Sequence, residues 1–185
     1  MARWKRSEGT VVAHFHVFGI RQHEMTRDDG ASRPVFTFDT PDWCNVVALT
    51  DDEKLILVRQ HRFGIDAPSL EIPGGLVDPG EVPIDAARRE LAEETGYDAG
   101  TIEPLGSIHP NPALQPNLLH MFVARGCKPH GRGQQLEDLE DCELVLLDRA
   151  GVERAMDAGE INHALVWAAL HAFDRHESHT KKGVP

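Results

Sequence analysis

Apolar and polar residues alternate near the start of the chain. From Val11 to Phe18, apolar side chains stand at every second position up to Val17, which is the period of a β-strand with one buried face. A second alternating run covers residues 35–39, and Asp29-Gly30 between the two runs is a turn signal. The pattern predicts an antiparallel hairpin over residues 10–40.

Continuous apolar runs follow at residues 45–49 and 54–58, joined by a polar segment. Runs of this length without alternation are typical of strands that are buried on both faces. Residues 64–83 are rich in glycine and proline, which predicts a loop.

A helix is predicted over residues 83–96, because proline favours the first turn of a helix and glycine its end. At 100° per residue, Glu90 and Glu94 lie one turn apart beside the apolar stripe of this helix. Arg88 and Arg89 point elsewhere on the wheel, so we expect no arginine of the helix to neutralise the two glutamates. Such a pair can jointly bind a hard cation such as Mg²⁺, which shares its remaining positions with phosphate.

Short apolar runs at residues 118–124 and 144–147 predict two further strands. Asp148 is predicted to cap the first of two terminal helices, and Asn162 the second, which we expect to run through Phe173. Strands, one helix, strands again and terminal helices together predict an α/β fold with a mixed sandwich.

The composition narrows the class of protein. A chain of 185 residues with 41% hydrophobic and 26% charged residues is typical of one globular domain with a short extension, and excludes a disordered chain. The formal net charge of −11 argues against nucleic acid as a partner, and no apolar run is long enough for a membrane span. The odd cysteine count, three without a CxxC pair, favours a reducing compartment, so we expect a cytoplasmic protein.

The acidic residues are concentrated in two windows. Eight acids and two bases lie between Glu71 and Gly100, and six acids without a base lie between Glu137 and Asp148. An acidic surface can still bind phosphate when a divalent cation lies between the two negative partners. The windows therefore indicate a metal-assisted phosphate site.

The first window contains a recognisable motif. Gly75, five residues, Glu81, seven residues and the run Arg89–Tyr97 (REUXEEXGU, with U apolar) match every specified position of the Nudix box. The chain thus resembles the Nudix hydrolases. The resemblance implies a Nudix-type α/β/α sandwich with a mixed sheet that uses Mg²⁺ or Mn²⁺ to cleave a nucleoside diphosphate linked to another group.

Features outside the box are similar to the branch of ADP-ribose pyrophosphatases and nucleoside diphosphate sugar hydrolases. They are the runs at residues 57–62 and 70–75, Pro112 at 15 residues beyond Tyr97, and the N-terminal hairpin. In that branch the hairpin exchanges between the subunits of a homodimer. One departure is Asn111-Pro112-Ala113, where ADP-ribose enzymes commonly have Pro-Gly.

The resemblance also implies a division of the chain. Residues 1–40 would be the hairpin arm used for dimerisation, residues 41–175 the Nudix hydrolase domain, and residues 176–185 a flexible tail.

By the resemblance, the metal ligands are Glu90, Glu94 and the carbonyl of Gly74, with Glu93 as a further ligand or orienting group. Two or three ions are implied when substrate is bound.

The resemblance places the general base on a loop before a late strand, where Glu140 matches best and Asp138 or Glu137 are the alternatives. Arg89 and Glu81 would brace the preceding loop against the helix, the alternative for Arg89 being an ordinary surface ion pair.

Substrate contacts are less specific in the sequence. Arg62 is a candidate for binding a phosphate oxygen, because a guanidinium engages two oxygens at once; an ion pair with Glu71 is the alternative. Trp43 and Trp4 are candidates for stacking on the nucleobase, the alternative being packing in the core or in a dimer. Trp167, on the last helix, is expected in the core.

The function implied is metal-dependent hydrolysis of a nucleoside diphosphate sugar, such as ADP-ribose or GDP-mannose, to a nucleoside monophosphate and a sugar phosphate. A water polarised by Mg²⁺ and deprotonated by Glu140 would attack one phosphorus. The alternatives are a pyrophosphatase of nucleoside triphosphates or damaged nucleotides, and a Nudix-fold sensor that binds a nucleotide sugar without turnover.

Overall fold

The computed structural model describes residues 2–136 and 141–182. The chain divides into two compact units, Met1–Asp42 with His109–Leu118 and Trp43–Ile108 with Leu119–Pro185. The domain boundaries expected at residues 40 and 175 stay a prediction.

The first unit contains an antiparallel sheet centred on its longest strand. The strands are β1 (Trp4–Arg6), β2 (Thr10–His14), β3 (Gly19–Arg27) and β4 (Ser32–Asp39). Strand β3 pairs with β4 along one side and with β2 and then β1 along the other. The unit is thus a four-stranded sheet with a hairpin turn at Asp29-Gly30, as predicted, but β4 pairs there with β3 and not with the strand predicted at the start of the chain.

Two details of this sheet differ from the sequence prediction. The first strand does not continue to Phe18, because it ends at His14 and Phe15 donates its N–H to the Phe18 carbonyl in a turn. Strand β3 was not predicted, since its buried centre is the polar His23. That imidazole bonds at 3.0 Å to the Ser7 carbonyl and at 2.9 Å to the Thr37 hydroxyl, which satisfies both ring nitrogens.

The second unit is built on a mixed eight-stranded sheet. Its strands are β5 (Trp43–Thr50), β6 (Leu55–Arg62), β7 (Ala67–Glu71), β8 (Gly74–Leu76), β9 (Tyr97–Asp98), β10 (Thr101–Ile108), β11 (Leu119–Pro129) and β12 (Cys142–Leu147). The main order is β10-β11-β5-β6-β12, with β5 and β11 parallel. Strand β7 pairs with β6, β8 pairs with β5, and β9 pairs with β11.

Helices cover both faces of this sheet. They are α1 (Pro83–Thr95), α2 (Arg149–Asp157) and α3 (Ala164–Lys182). Along β5, Val46 and Ala48 pack in one core cluster with α1, whereas Val47 and Leu49 pack in another with α2 and α3. Side chains of a strand alternate between its faces, so β5 contributes to both cores. The α/β/α sandwich with a mixed sheet is confirmed.

The segment predicted as a loop at residues 64–83 contains two short strands, β7 and β8. Strand β10 was also not predicted. Each of them depends on a partner strand for its hydrogen bonds rather than on an apolar pattern of its own.

Of the two terminal helices, α2 agrees with the prediction and α3 does not. Asp148 caps α2 by accepting the Gly151 N–H at 2.7 Å, as expected. For α3, the ring nitrogen of His163 accepts the Leu165 N–H, whereas the side chain of Asn162 bonds to Ser69 at 2.8 Å. The prediction that Asn162 caps the helix was therefore wrong.

Helix α3 also continues through Lys182, beyond the end expected at Phe173. The ion pair of Glu177 with Arg125 attaches this extension to the sheet.

The prediction that Trp167 lies in the core was wrong as well. Its side chain is 47% exposed, and its indole N–H donates to the Ile161 carbonyl at 2.9 Å, which holds the ring at the surface. No helix in the described part of the chain is long and apolar enough to cross a membrane.

Candidate active site

The site forms where β8 passes beneath the end of α1. Gly74 of β8 pairs with Asn45 of β5, and its N–H donates to Oε2 of Glu94 at 2.9 Å. A Cβ atom at Gly74 would overlap the Cys44 carbonyl, so only glycine allows this close approach. Glu94 is 7% exposed, and the backbone donor compensates part of the cost of burying its carboxylate.

Gly75, the second glycine of the strand, lies against the carboxylate of Glu90. A Cβ atom at Gly75 would overlap the carboxylate of Glu90. Glu90 and Glu94 therefore both lie against the backbone of β8, one helical turn apart, as their spacing predicted.

Arg89 connects the remaining acids of the motif. Its Nε and Nη2 donate to the two oxygens of Glu81 at 3.1 and 3.0 Å, and its Nη1 donates to Glu90 at 2.8 Å and to Glu93 at 3.1 Å. Nη2 also donates to the Leu76 carbonyl, which fixes the strand before the loop. One guanidinium thus holds three carboxylates and the backbone of β8.

This arrangement corrects one expectation. The helical wheel predicted that no arginine of the helix neutralises Glu90, but Arg89 does. The wheel describes Cα directions, whereas the long arginine side chain reaches around the helix to the neighbouring residue.

The interactions between Arg89 and its acidic neighbours shift the pKa values of Glu81 and Arg89. Hydrogen bonds from Arg89 lower the pKa of Glu81, against the opposing effect of burial. The pKa of Arg89 is raised, first by its bonds to Glu81 and then by the charge of Glu90. Both groups are therefore charged throughout the physiological range.

The donor set suits a hard divalent cation. Carboxylate oxygens of Glu90 and Glu94 and the backbone carbonyls of the Gly74-Gly75 strand are ligands that Mg²⁺ prefers. Within residues 2–136 and 141–182, no group of three or more His, Cys, Asp or Glu side chains is arranged to hold a metal alone. Binding would therefore need backbone, substrate or further acidic oxygens besides these two glutamates.

The expected general base, Glu140, and its alternatives Asp138 and Glu137 lie outside the described residues.

Arg62 and Glu71 form an ion pair in which the carboxylate is buried and the arginine side chain is partly exposed. Arg62 donates from Nε and Nη2 to the two oxygens of Glu71 at 2.7 and 2.6 Å, and Glu71 is 3% exposed. Burial would raise the pKa of Glu71, but the bonds and charge of Arg62 outweigh it and the pKa is lowered. The pKa of Arg62 is raised, first by its hydrogen bonds to Glu71 and then by the charges of Glu71 and Glu94. The ion pair therefore lies within electrostatic range of the glutamates of α1. A phosphate contact by Arg62 stays a prediction.

Of the two candidate tryptophans, only Trp43 belongs to the unit that contains this cluster. Trp43 is half-buried and packs against the core on the α2 and α3 side. Trp4 belongs to the first unit, where the guanidinium groups of Arg27 and Arg33 lie 5.6 and 6.0 Å from the centre of its ring. Stacking of either ring on a nucleobase stays a prediction.

Sequence reasoning did not identify Cys44 and Asn45 as part of the site. The backbone carbonyl of Cys44 and the side chain of Asn45 lie against the Cα of Gly74 and leave no space for a side chain there. No local signal could have shown this, because the two strands are about thirty residues apart and only their pairing brings them together.

Comparisons with known proteins identify the family of the chain. A family model described as NUDIX domain matches residues 42–168. ADP-ribose pyrophosphatase from Bacillus subtilis (strain 168) is 29% identical over 119 residues, 64% of each chain. ADP compounds hydrolase NudE from Escherichia coli (strain K12) is 34% identical over 133 residues, 70% of each chain.

A crystal structure of ADP compounds hydrolase superposes with a TM-score of 0.82 at 24% identity, covering 99% of this chain and 97% of its own, which shows a shared fold. The chain spans between half and two thirds of the length of the first curated relatives that it matches.

Proposed function

The chain belongs to the NUDIX domain family, and from this we propose that it is a metal-dependent hydrolase of nucleoside diphosphate sugars. It would cleave the diphosphate linkage of ADP-ribose, GDP-mannose or a similar compound to a nucleoside monophosphate and a sugar phosphate.

The carboxylate cluster around Arg89 is the observation that carries this proposal. A glycine strand and a helix place Glu90 and Glu94 against the same backbone, while Arg89 holds Glu81 and Glu93 beside them. An acidic cluster of this kind repels a diphosphate unless a cation lies between them. The names of the relatives, an ADP-ribose pyrophosphatase and an ADP compounds hydrolase, support a diphosphate-linked substrate.

The chain's own residues have distinct parts in the proposed reaction. Bound Mg²⁺ or Mn²⁺, in two or three copies, supplies Lewis-acid neutralisation of the phosphate oxygens. Glu90, Glu94 and the Gly74 carbonyl hold the cation, and Glu93 ligates or orients. Glu140, or alternatively Asp138 or Glu137, takes the proton of the attacking water.

The remaining groups would hold the site and the substrate. Arg89 keeps the loop at Glu81 against the helix. Arg62, held by Glu71, presents its guanidinium to a phosphate oxygen. Trp43 and Trp4 remain the candidates for contact with the base.

The first unit supports a homodimer. Its described residues 2–42 expose six large apolar side chains, each between 46% and 58% accessible, namely Trp4, Val11, Val12, Phe15, Val17 and Phe36. A concentration of exposed apolar residues is typical of an interaction surface. We therefore assign the arm at residues 1–40 to dimerisation.

A product analysis tests the activity. The purified chain is incubated with Mg²⁺ and, in separate reactions, ADP-ribose, GDP-mannose, ADP-glucose, UDP-glucose or ATP, with an EDTA control, and the products are separated by chromatography. We expect a nucleoside monophosphate from one or more diphosphate sugars and none from ATP. Running the reaction in ¹⁸O water identifies the attacked phosphorus from the product that carries the label.

The other outcomes would replace the proposal. Cleavage of ATP alone would indicate the triphosphate pyrophosphatase. Binding of ADP-ribose without turnover would indicate the sensor, although all four acids of the motif are present in this chain.

A further inference from the structure

The end of α1 carries an unfavourable concentration of negative charge. Glu93 and Glu94 lie in its last turn, which contains no basic residue. The last four carbonyls of a helix have no partner within the helix, and their end of the helix dipole is negative. The carbonyls at this end of the helix therefore need donors from elsewhere in the fold.

Residues 130–135, which follow β11, provide several of these donors to the helix end and to its cap at Gly96. The bonds are His130 N–H to the Gly96 carbonyl at 3.0 Å, Gln134 Nε2–H to the Glu94 carbonyl at 2.6 Å, and Gln135 N–H to the Glu93 carbonyl at 2.8 Å. This segment thus holds the backbone of Glu93 and Glu94, both of which are expected to ligate the metal or to orient its ligands.

Gln134 makes a second bond that reaches another element. Its Nε2 also donates to the carbonyl of Cys142, the first residue of β12, at 2.8 Å. A carboxamide nitrogen has two hydrogens, so it can bind both carbonyls at once. One side chain therefore joins the end of the glutamate helix to the start of a strand.

This bridge has a particular place in the sequence. Seven residues separate Gln134 from Cys142, and they include the acidic run at residues 137–140. The bridge fixes the end of α1 relative to the start of β12.

We propose that Gln134 is a positioning residue for the hydrolysis. This inference rests on the proposed function. The side chain would act through the backbone of Glu94 and Cys142, keeping the end of the metal-binding helix in a fixed position relative to β12. A displacement of about 1 Å in such an arrangement can reduce turnover strongly without changing substrate binding.

Three variants test this role. Gln134→Leu removes both donors at nearly constant size, whereas Gln134→Lys keeps an N–H donor one bond further out. Gln135→Leu is the matched control, because only the backbone of Gln135 makes the bond recorded at the helix. The readouts are kcat and KM for the best diphosphate sugar, the melting temperature, and amide hydrogen exchange of Gln135 and Gly96 without metal.

For Gln134→Leu we expect kcat to fall about tenfold with KM within twofold, and exchange at Gln135 to accelerate. Gln134→Lys should recover at least half of the wild-type kcat, and Gln135→Leu should match the wild type. If Gln134→Leu lowers only the melting temperature and leaves kcat unchanged, the bridge is structural and the inference is wrong. If Gln134→Leu does not fold, Gln134→Lys decides. A tenfold loss of kcat in Gln134→Lys at normal stability would show that keeping an N–H donor does not preserve turnover, and the inference would be wrong.

A wild-type protein that hydrolyses none of the sugars is a different result. The proposed function would then have failed, and the positioning role with it, while the exchange rates would still report whether the bridge exists.

Discussion

Among single residues, Glu94 has the most constrained surroundings of the acids in the motif. Its carboxylate is buried against β8 and accepts the N–H of Gly74. A buried carboxylate with a backbone donor is held in one orientation, which is the condition for a ligand that must keep its geometry.

Glu94→Gln is expected to reduce kcat by about 10²–10³-fold, because it removes the charge at a site of electrostatic stabilisation. The amide oxygen can still accept the N–H of Gly74, so the melting temperature should change by only a few degrees. Steady-state kinetics and calorimetry measure the two effects. Glu153→Gln, on the exposed side of α2, is the control, and near-normal turnover of Glu94→Gln would remove the metal assignment.

The pair of Arg62 and Glu71 allows a prediction about pH. The lowered pKa of Glu71 means that the pair stabilises the fold fully above the ordinary carboxyl pKa of 4.5 and loses this contribution as pH falls through the lower folded value. Arg62→Met should therefore cost about 2 kcal/mol at pH 7, less than a fully buried pair because the arginine side chain is 41% exposed. The cost should shrink below about pH 4.

Urea unfolding of wild type and Arg62→Met at pH 7 and pH 3.5 measures this difference. Arg59→Met removes an arginine from exposed ion pairs and should cost under about 1 kcal/mol at either pH. A cost for Arg62→Met that is equal at both pH values contradicts the assignment of the Glu71 pKa.

Among the elements, α1 ends in a way that its sequence dictates and its neighbours exploit. Gly96 adopts a left-handed conformation with φ of +75° and donates its N–H to the Ala92 carbonyl. Glycine is favoured there because other residues are strained at positive φ. The lack of a side chain also admits the backbone of Gly133, which precedes the Gln134 bridge.

Gly96→Ala should destabilise the fold through both effects. The positive φ alone costs an alanine about 1–2 kcal/mol, and the added Cβ would lie 3.1 Å from the carbonyl carbon of Gly133. Gly159→Ala is the matched control, since Gly159 has φ of +74° and open space around its Cα. Thermal unfolding should show a loss for Gly96→Ala about 1 kcal/mol larger than for Gly159→Ala. Equal losses would mean that the contact with Gly133 is not tight in solution.

For the whole molecule, the proposed dimer is the property with the clearest test. Light scattering should give a mass about twice the 20.5 kDa of one chain. The double variant Val12→Asp, Phe36→Asp places charges among the exposed apolar residues of the first unit and should give the monomer mass. Circular dichroism checks that the variant is folded.

Phe63→Asp is the control for this experiment, because Phe63 is 89% exposed but belongs to the second unit. We expect it to leave the mass unchanged. If wild type has the mass of one chain, the dimer assignment of the arm is wrong.

Local pattern was sufficient for the elements whose causes lie within a few residues. Helix α1 begins at Pro83 and ends before Gly96, as the two residues predict. Glu90 and Glu94 meet the same strand because side chains one turn apart share a face. The runs at residues 45–49 and 54–58 form β5 and β6, since long apolar runs have few alternatives to burial. The motif itself identified the family, because its spacing lies inside one loop and one helix.

Only the tertiary structure decided the features whose partners are distant in sequence. Strands β3, β7, β8 and β10 acquire their conformation from the strands beside them. Strands β7 and β8 have too few residues to show a period, and the longer β3 has the polar His23 at its buried centre. The reach of Arg89 to Glu90 and the cap of α3 by His163 depend on side-chain paths that a wheel or a propensity does not contain. The bridge by Gln134 joins the carbonyls of Glu94 and Cys142, and the sequence around Gln134 contains no pattern that predicts either bond. Hydrogen bonds of this kind are chosen by the packing of the sheet and helices, after the local elements have formed.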